Sequence, residues 1–163
     1  MYHVVLASAL ACSTIVACGN KQSPARGPAQ PLEERRALQV IADAIEGEGL
    51  QPIPGRAVEV GAGRQLDMDV GVLGHKFGVA YTLESERTAL GSALAPRELE
   101  GQLQLVVGTG DDRGTQVLVL HATDYMLDDH LGTDYEASTI TAERKLGRDV
   151  RDFIVEAREK RWP

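Results

Sequence analysis

Apolar and polar residues recur along this chain with two periods, and the switches between them mark out the elements. From 31 to 47 the period is helical. Leu38, Ile41, Ala42 and Ile45 fall at i, i+3, i+4 and i+7, on one face. Pro31 at the start, Glu33 and Glu34 in the first turn, and Gly47 and Gly49 after the end suit a helix with those bounds. Between 58 and 83 the period drops to two. Val58 and Val60 predict a short strand, and Gly61-Ala62-Gly63 a turn. Leu66, Met68, Val70 and Val72 then alternate with Asp67, Asp69 and Gly71. After Gly74, the residues Phe77, Val79, Tyr81 and Leu83 alternate with Gly78, Ala80 and Thr82, which predicts antiparallel strands with one face on a core. A short helix is expected at 84–91, with Thr82 or Ser85 near its cap and Gly91 closing it.

Beyond the break at Pro96, residues 103–107 and 116–121 predict a strand pair joined by the loop 108–114. Val117-Leu118-Val119-Leu120 is continuously apolar, the mark of a strand buried on both faces. Residues 122–138 read as an acidic loop. The last helix, 139–160, places Leu146, Val150, Phe153, Ile154 and Ala157 on one face, with Arg144, Lys145, Arg148, Arg151, Asp152 and Glu159 opposite. The expected fold is α+β, in the order α-β-β-β-α-β-β-α: a mostly antiparallel sheet with long N- and C-terminal helices and no fixed-period repeat. Residues 31–163 form its single domain.

Composition narrows the function more than the fold. An apolar fraction of 43% and a charged fraction of 25% over 163 residues are ordinary for one globular domain. The formal net charge of −7 disfavours a broad phosphate-binding face, and 4% aromatics leave little for base stacking, so no nucleic-acid partner is expected. Both cysteines, Cys12 and Cys18, lie at the extreme N-terminus, which leaves the domain without a disulfide or thiolate site.

That N-terminus has its own logic. Residues 4–17 are apolar or small and uncharged, shorter than the roughly 20 residues a membrane span needs and suited to the core of a secretory signal. The run ends in Ile15-Val16-Ala17-Cys18, which resembles the lipobox of bacterial lipoproteins. The resemblance covers the first 18 residues. It implies a signal peptide at 1–17, cleavage before Cys18, a diacylglyceryl group on its thiol and acylation of the freed amine. Met1-Tyr2-His3 departs from the pattern by lacking Lys or Arg. Residues 18–30 read as the lipidated cysteine and a flexible linker of roughly 40 Å maximum reach. Gly19, in place of the acidic residue that retains such proteins at the inner membrane in some bacteria, favours the outer one. The expected membrane contact is the lipid anchor, with an envelope protein or cell-wall component as partner. The alternative is that the apolar run belongs to the fold of a cytoplasmic α+β domain.

Sites are sparse. Asp124, Asp128, Asp129, His130 and Asp134 form the densest set of potential metal ligands, but their spacing matches no EF-hand, and solvated turns explain them as well. Asp67 and Asp69, two apart on a strand, point to one face, where they could share a proton or a metal or simply face water. The α-β-β-β-α-β run resembles the core of restriction-endonuclease-type nucleases, with Asp67 as the first acid. The next strand, 77–83, supplies neither the acid nor the Lys that family needs, so no such activity is expected. His75, His121 and His130 are scattered. His121 reads as a hydrogen-bonded core or rim residue, and Trp162 as packed against the domain. No nucleophile elbow occurs, the glycine turns lack the strand-to-helix setting of a phosphate loop, and no cofactor is expected.

The leading expectation is a lipid-anchored cell-envelope binding module. The rival is a metal-dependent or carboxylate-based hydrolase using Asp67, Asp69, His121 or the 124–134 loop. An enzyme requires these groups to converge in one pocket with shifted pKa values, whereas a protein-binding module needs an exposed apolar patch of several hundred Å².

Overall fold

The computed structural model describes residues 29–94, 103–127 and 135–163, with side chains from 139 onward in the last segment. The chain runs β1 (Gln30–Pro31), α1 (Glu34–Gly47), β2 (Pro52–Val60), β3 (Arg64–Val72), β4 (Phe77–Thr82), α2 (Glu84–Leu90), β5 (Gln104–Val107), β6 (Gln116–His121), β7 (Met126–Leu127) and α3 (Tyr135–Glu159). The α+β class and the order of the main elements are as expected. The two-residue strands β1 and β7, which pair with each other, are additional.

The main sheet has the order β2-β3-β4-β6-β5. Every neighbouring pair is antiparallel except β4 and β6, which run parallel and place Thr82 beside His121. This central position explains one departure from the sequence pattern: β4 is buried along its whole length rather than on one face. Its second face carries Gly78, Ala80 and Thr82 because space there is short. A Cβ on Gly78 would lie 2.4 Å from Met68 Sδ.

Helices α1 and α3 cover one face. Ile41, Ile45, Leu146, Phe153 and Ile154 pack there on Val79, Tyr81 and Leu118. Phe153 meets Phe77 edge-on at 5.7 Å and Trp162 at 5.8 Å, so Trp162 packs on the domain. Helix α3 begins at Tyr135, four residues earlier than the periodicity marks, and α1 begins at Glu34, after Gln30 and Pro31 have paired as a strand with β7 and Leu32 N–H has bonded to Tyr125 O at 2.9 Å. The other face holds a second core: Val58, Val60, Leu66, Met68, Ala80, Val117 and Val119, capped by Leu90 of α2 and by Leu94.

The sheet is curled around that second core. The loop between β5 and β6 reaches across to edge strand β2, where Thr109 N–H donates to Glu59 O at 2.7 Å and Glu59 N–H donates to Asp112 Oδ2 at 2.7 Å. Arg56 pairs with the other Asp112 oxygen. Gly110 permits this approach with a φ of +56°; a Cβ there would lie 2.5 Å from Glu59 Oε2. The loop and the prolines at 52 and 54 protect an otherwise open edge.

Candidate functional site

The curl has a second consequence, at the junction of β3 and β4. These strands pair at Val70↔Val79 and Gly71↔Gly78, and the pairing stops there. Tyr81 N–H, the next donor on that edge of β4, bonds instead to Asp69 Oδ2 at 2.7 Å. A side-chain carboxylate has taken the place of a strand carbonyl, and the strands diverge. Helix α2 leaves the end of β4 across the gap. The result is a half-open cavity of about 350 Å³, walled by Arg64 through Asp67 and Asp69 of β3, by Tyr81 and Thr82 of β4, and by Glu86, Ala89 and Leu90 of α2.

The structure brings Asp67 and Asp69 together on this cavity, as their spacing implied. Their environments differ. Asp67 is exposed, while Asp69 is half-buried. Burial pushes the Asp69 carboxyl up to about 6, against the opposing pull of the Tyr81 N–H; the negative charges of Glu34, Glu86 and Asp67 add to the rise. Among the described residues no cation forms an ion pair with Asp69. Tyr81 adds no acid of its own: its hydroxyl donates to Leu32 O at 2.8 Å, and burial holds its pKa at about 12.

Thr82 forms the rear wall and leads to His121. Its hydroxyl lies 3.1 Å from His121 Nδ1, and His121 Nε2 meets Gln104 Oε1. The Thr82 hydroxyl also reaches Leu120 O at 3.4 Å, so both ring nitrogens of His121 and the Thr82 hydroxyl have polar partners. His121 is buried, lies behind the cavity rather than in its lining, and ties β4, β6 and β5 together in one polar row. It is a hydrogen-bonded core residue. Glu86 accepts the N–H of Leu83 at 2.8 Å and so closes the first turn of α2. The N-cap is therefore Leu83, not Thr82 or Ser85; the hydroxyl of Thr82 is turned toward His121 instead.

The remaining candidates do not join this site. Asp124 lies in the turn before β7, where its carbonyl accepts Lys145 Nζ at 2.9 Å. Asp128, Asp129, His130 and Asp134 lie outside the described residues. Among the described residues no group of three His, Cys, Asp or Glu side chains is arranged to hold a metal. His75 is exposed, with its ring 4.8 Å from Phe77. Strand β4 carries no acid or Lys beside Asp67, so no nuclease-type set assembles. The residues that sequence reasoning missed are Arg64, Tyr81, Thr82, Glu86 and Gln104. Only Glu86 carried a local signal, an acid at the third position of a short helix.

The exposed large apolar side chains among the described residues, Leu73, Leu83, Val107, Ile140 and Val155, are spread over four separate parts of the chain. No described helix is long and apolar enough to cross a membrane. Comparison of the chain with protein families, with curated proteins and with solved structures finds no match in any of the three.

Proposed function

We propose that this chain is a lipid-anchored cell-envelope protein whose domain binds a small polar ligand in the cavity between β3, β4 and α2. The observation that carries the binding part is the convergence of Asp67, Asp69, Thr82 and Glu86 on one concave site, with the Asp69 carboxyl raised to about 6. The lining suits a ligand with donors or positive charge for the carboxylates, an acceptor for Arg64 at the rim of β3 and an apolar part against Leu66 and Leu90. The anchoring part rests on Ile15-Val16-Ala17-Cys18 after an uncharged apolar run.

A second reading has one specific support. A carboxyl that titrates near 6 exchanges protons close to neutral pH, as the acid–base group of a hydrolase must. In that reading Asp69 relays a proton to a water or substrate held by Asp67.

Two experiments test the proposal. The intact mass of protein extracted from host membranes is compared with that of Cys18→Ala. Anchoring predicts a chain starting at Cys18 plus lipid, and an unprocessed, unlipidated variant; an unmodified full-length mass in the soluble fraction overturns it. Ligand-observed NMR with spermidine, ethanolamine and glucosamine is then run on the protein and on Ala89→Trp, whose indole fills the mouth of the cavity. Binding lost in the variant supports the cavity as the site. Binding unaffected by the variant, or absent for every amine, overturns the proposed ligand chemistry.

A further inference from the structure

The net charge of −7 conceals a basic surface. On α3, Arg144, Arg148 and Arg151 are exposed and fall at i, i+4 and i+7, so they share the face turned away from the sheet. Val155 continues the line one turn on and is 45% exposed; Arg158 extends it by another turn, beside Glu48. From Arg144 to Arg158 the stripe is roughly 21 Å long at 1.5 Å per residue. Arg148 has only a loose contact with Asp149, at 3.5 Å, and among the described residues no carboxylate forms an ion pair with Arg144 or Arg151. Asp152 and Glu159 border the stripe on one side. At a screening length of about 8 Å, charge on the far side of the domain does little to cancel it.

The entry of the chain into the fold lies against the same helix. Gln30 pairs with Leu127, and Leu32 N–H bonds to Tyr125 O. Lys145 of α3 sits 5.0 Å over the Tyr125 ring and donates to Asp124 O. A tether arriving from Cys18 therefore joins the domain beside the N-terminal half of α3, and a reach of roughly 40 Å lets that helix meet the surface carrying the lipid. Resting on the anchoring reading, we infer that the outward face of α3 docks on anionic phospholipid headgroups, with Arg144, Arg148 and Arg151 on the phosphates and Val155 among the headgroups. The lipid fixes the protein to the membrane, and the arginine stripe sets which way the domain faces.

The test uses the lipidated full chain, made in a host that processes it and reconstituted into vesicles of phosphatidylcholine alone or mixed with phosphatidylglycerol. An environment-sensitive dye is placed at Val155→Cys or, as control, at Ser92→Cys beyond α2, and a lipid-borne quencher reports depth. Docking predicts quenching at 155 only in the anionic vesicles, reversal by high salt, and no change at 92. Each arginine near an anionic surface contributes about five-fold, so R144Q/R148Q/R151Q lowers the docked-to-undocked ratio on the order of 100-fold. Equal quenching at 155 in both vesicle types, or quenching indifferent to salt and to the triple variant, overturns the docking while leaving the anchor intact. Failure of the unsubstituted protein to float with either vesicle overturns the anchor and the docking that rests on it.

Discussion

Two aspartates do the same backbone job in this domain under opposite conditions. Asp69 and Asp112 each accept a strand N–H at 2.7 Å, from Tyr81 and Glu59 respectively, and each replaces a missing carbonyl partner. Asp112 also faces Arg56, and the Glu59 N–H and the guanidinium hold its carboxyl below the ordinary value. Asp69 faces a cavity and other carboxylates, and burial holds it at about 6. Asp112 closes the curled sheet, whereas Asp69 holds it open. A charge that is satisfied on both oxygens is architecture. A charge left partly desolvated beside an empty space is where a ligand gains most by binding.

The largest effect is expected at the closed end. Asp112→Ala leaves the Glu59 N–H without its acceptor and Arg56 without its partner, and should destabilise the fold by about 2 kcal/mol in urea titration. Gly110→Ala attacks the same clasp through strain at a φ of +56° and should cost about 1 kcal/mol. The contrast sharpens with one substitution made twice. Asp112→Asn loses the pairing with Arg56 and should destabilise by several tenths of a kcal/mol. Asp69→Asn keeps an acceptor for Tyr81 N–H while removing a desolvated charge, and should stabilise at pH 7.5 by a similar amount.

The pH dependence separates the pair as well. The raised pKa of Asp69 means that its folded form holds the proton more tightly than the unfolded chain. Its contribution is present below the ordinary 3.8 and is lost as pH rises to about 6. Asp112 is depressed, so its contribution is present above the ordinary value and is lost as pH falls through the lowered one. Urea midpoints measured across this range should show the slope between pH 4 and about 6 disappear in Asp69→Asn and persist in Asp112→Asn.

Most of the architecture was legible because local period encodes it. The alternation at 66–72, the apolar run 117–120 and the stripe from Leu146 to Ala157 each gave a correct element. The parallel pairing of β4 with β6 was not legible, since nothing local to either strand names its neighbour and β5 intervenes in the chain. That pairing aligns Thr82 with His121, so the polar row behind the cavity was hidden with it. Asp67 and Asp69 were visible as a same-face pair, but their difference was not: it arises from the divergence of β3 and β4 past Val70, which depends on the curl of the whole sheet. The early start of α3 was missed because residues 135–138 lie before the apolar stripe begins.

The most direct test of the cavity is to titrate Asp69 itself, following its side-chain carboxyl carbon by NMR from pH 3 to 8. A midpoint near 6 for Asp69, shifting downward when an amine ligand is added, is the expected result. A midpoint close to 4 for Asp69, unmoved by ligand, would contradict the desolvated site and leave the cavity a solvated groove.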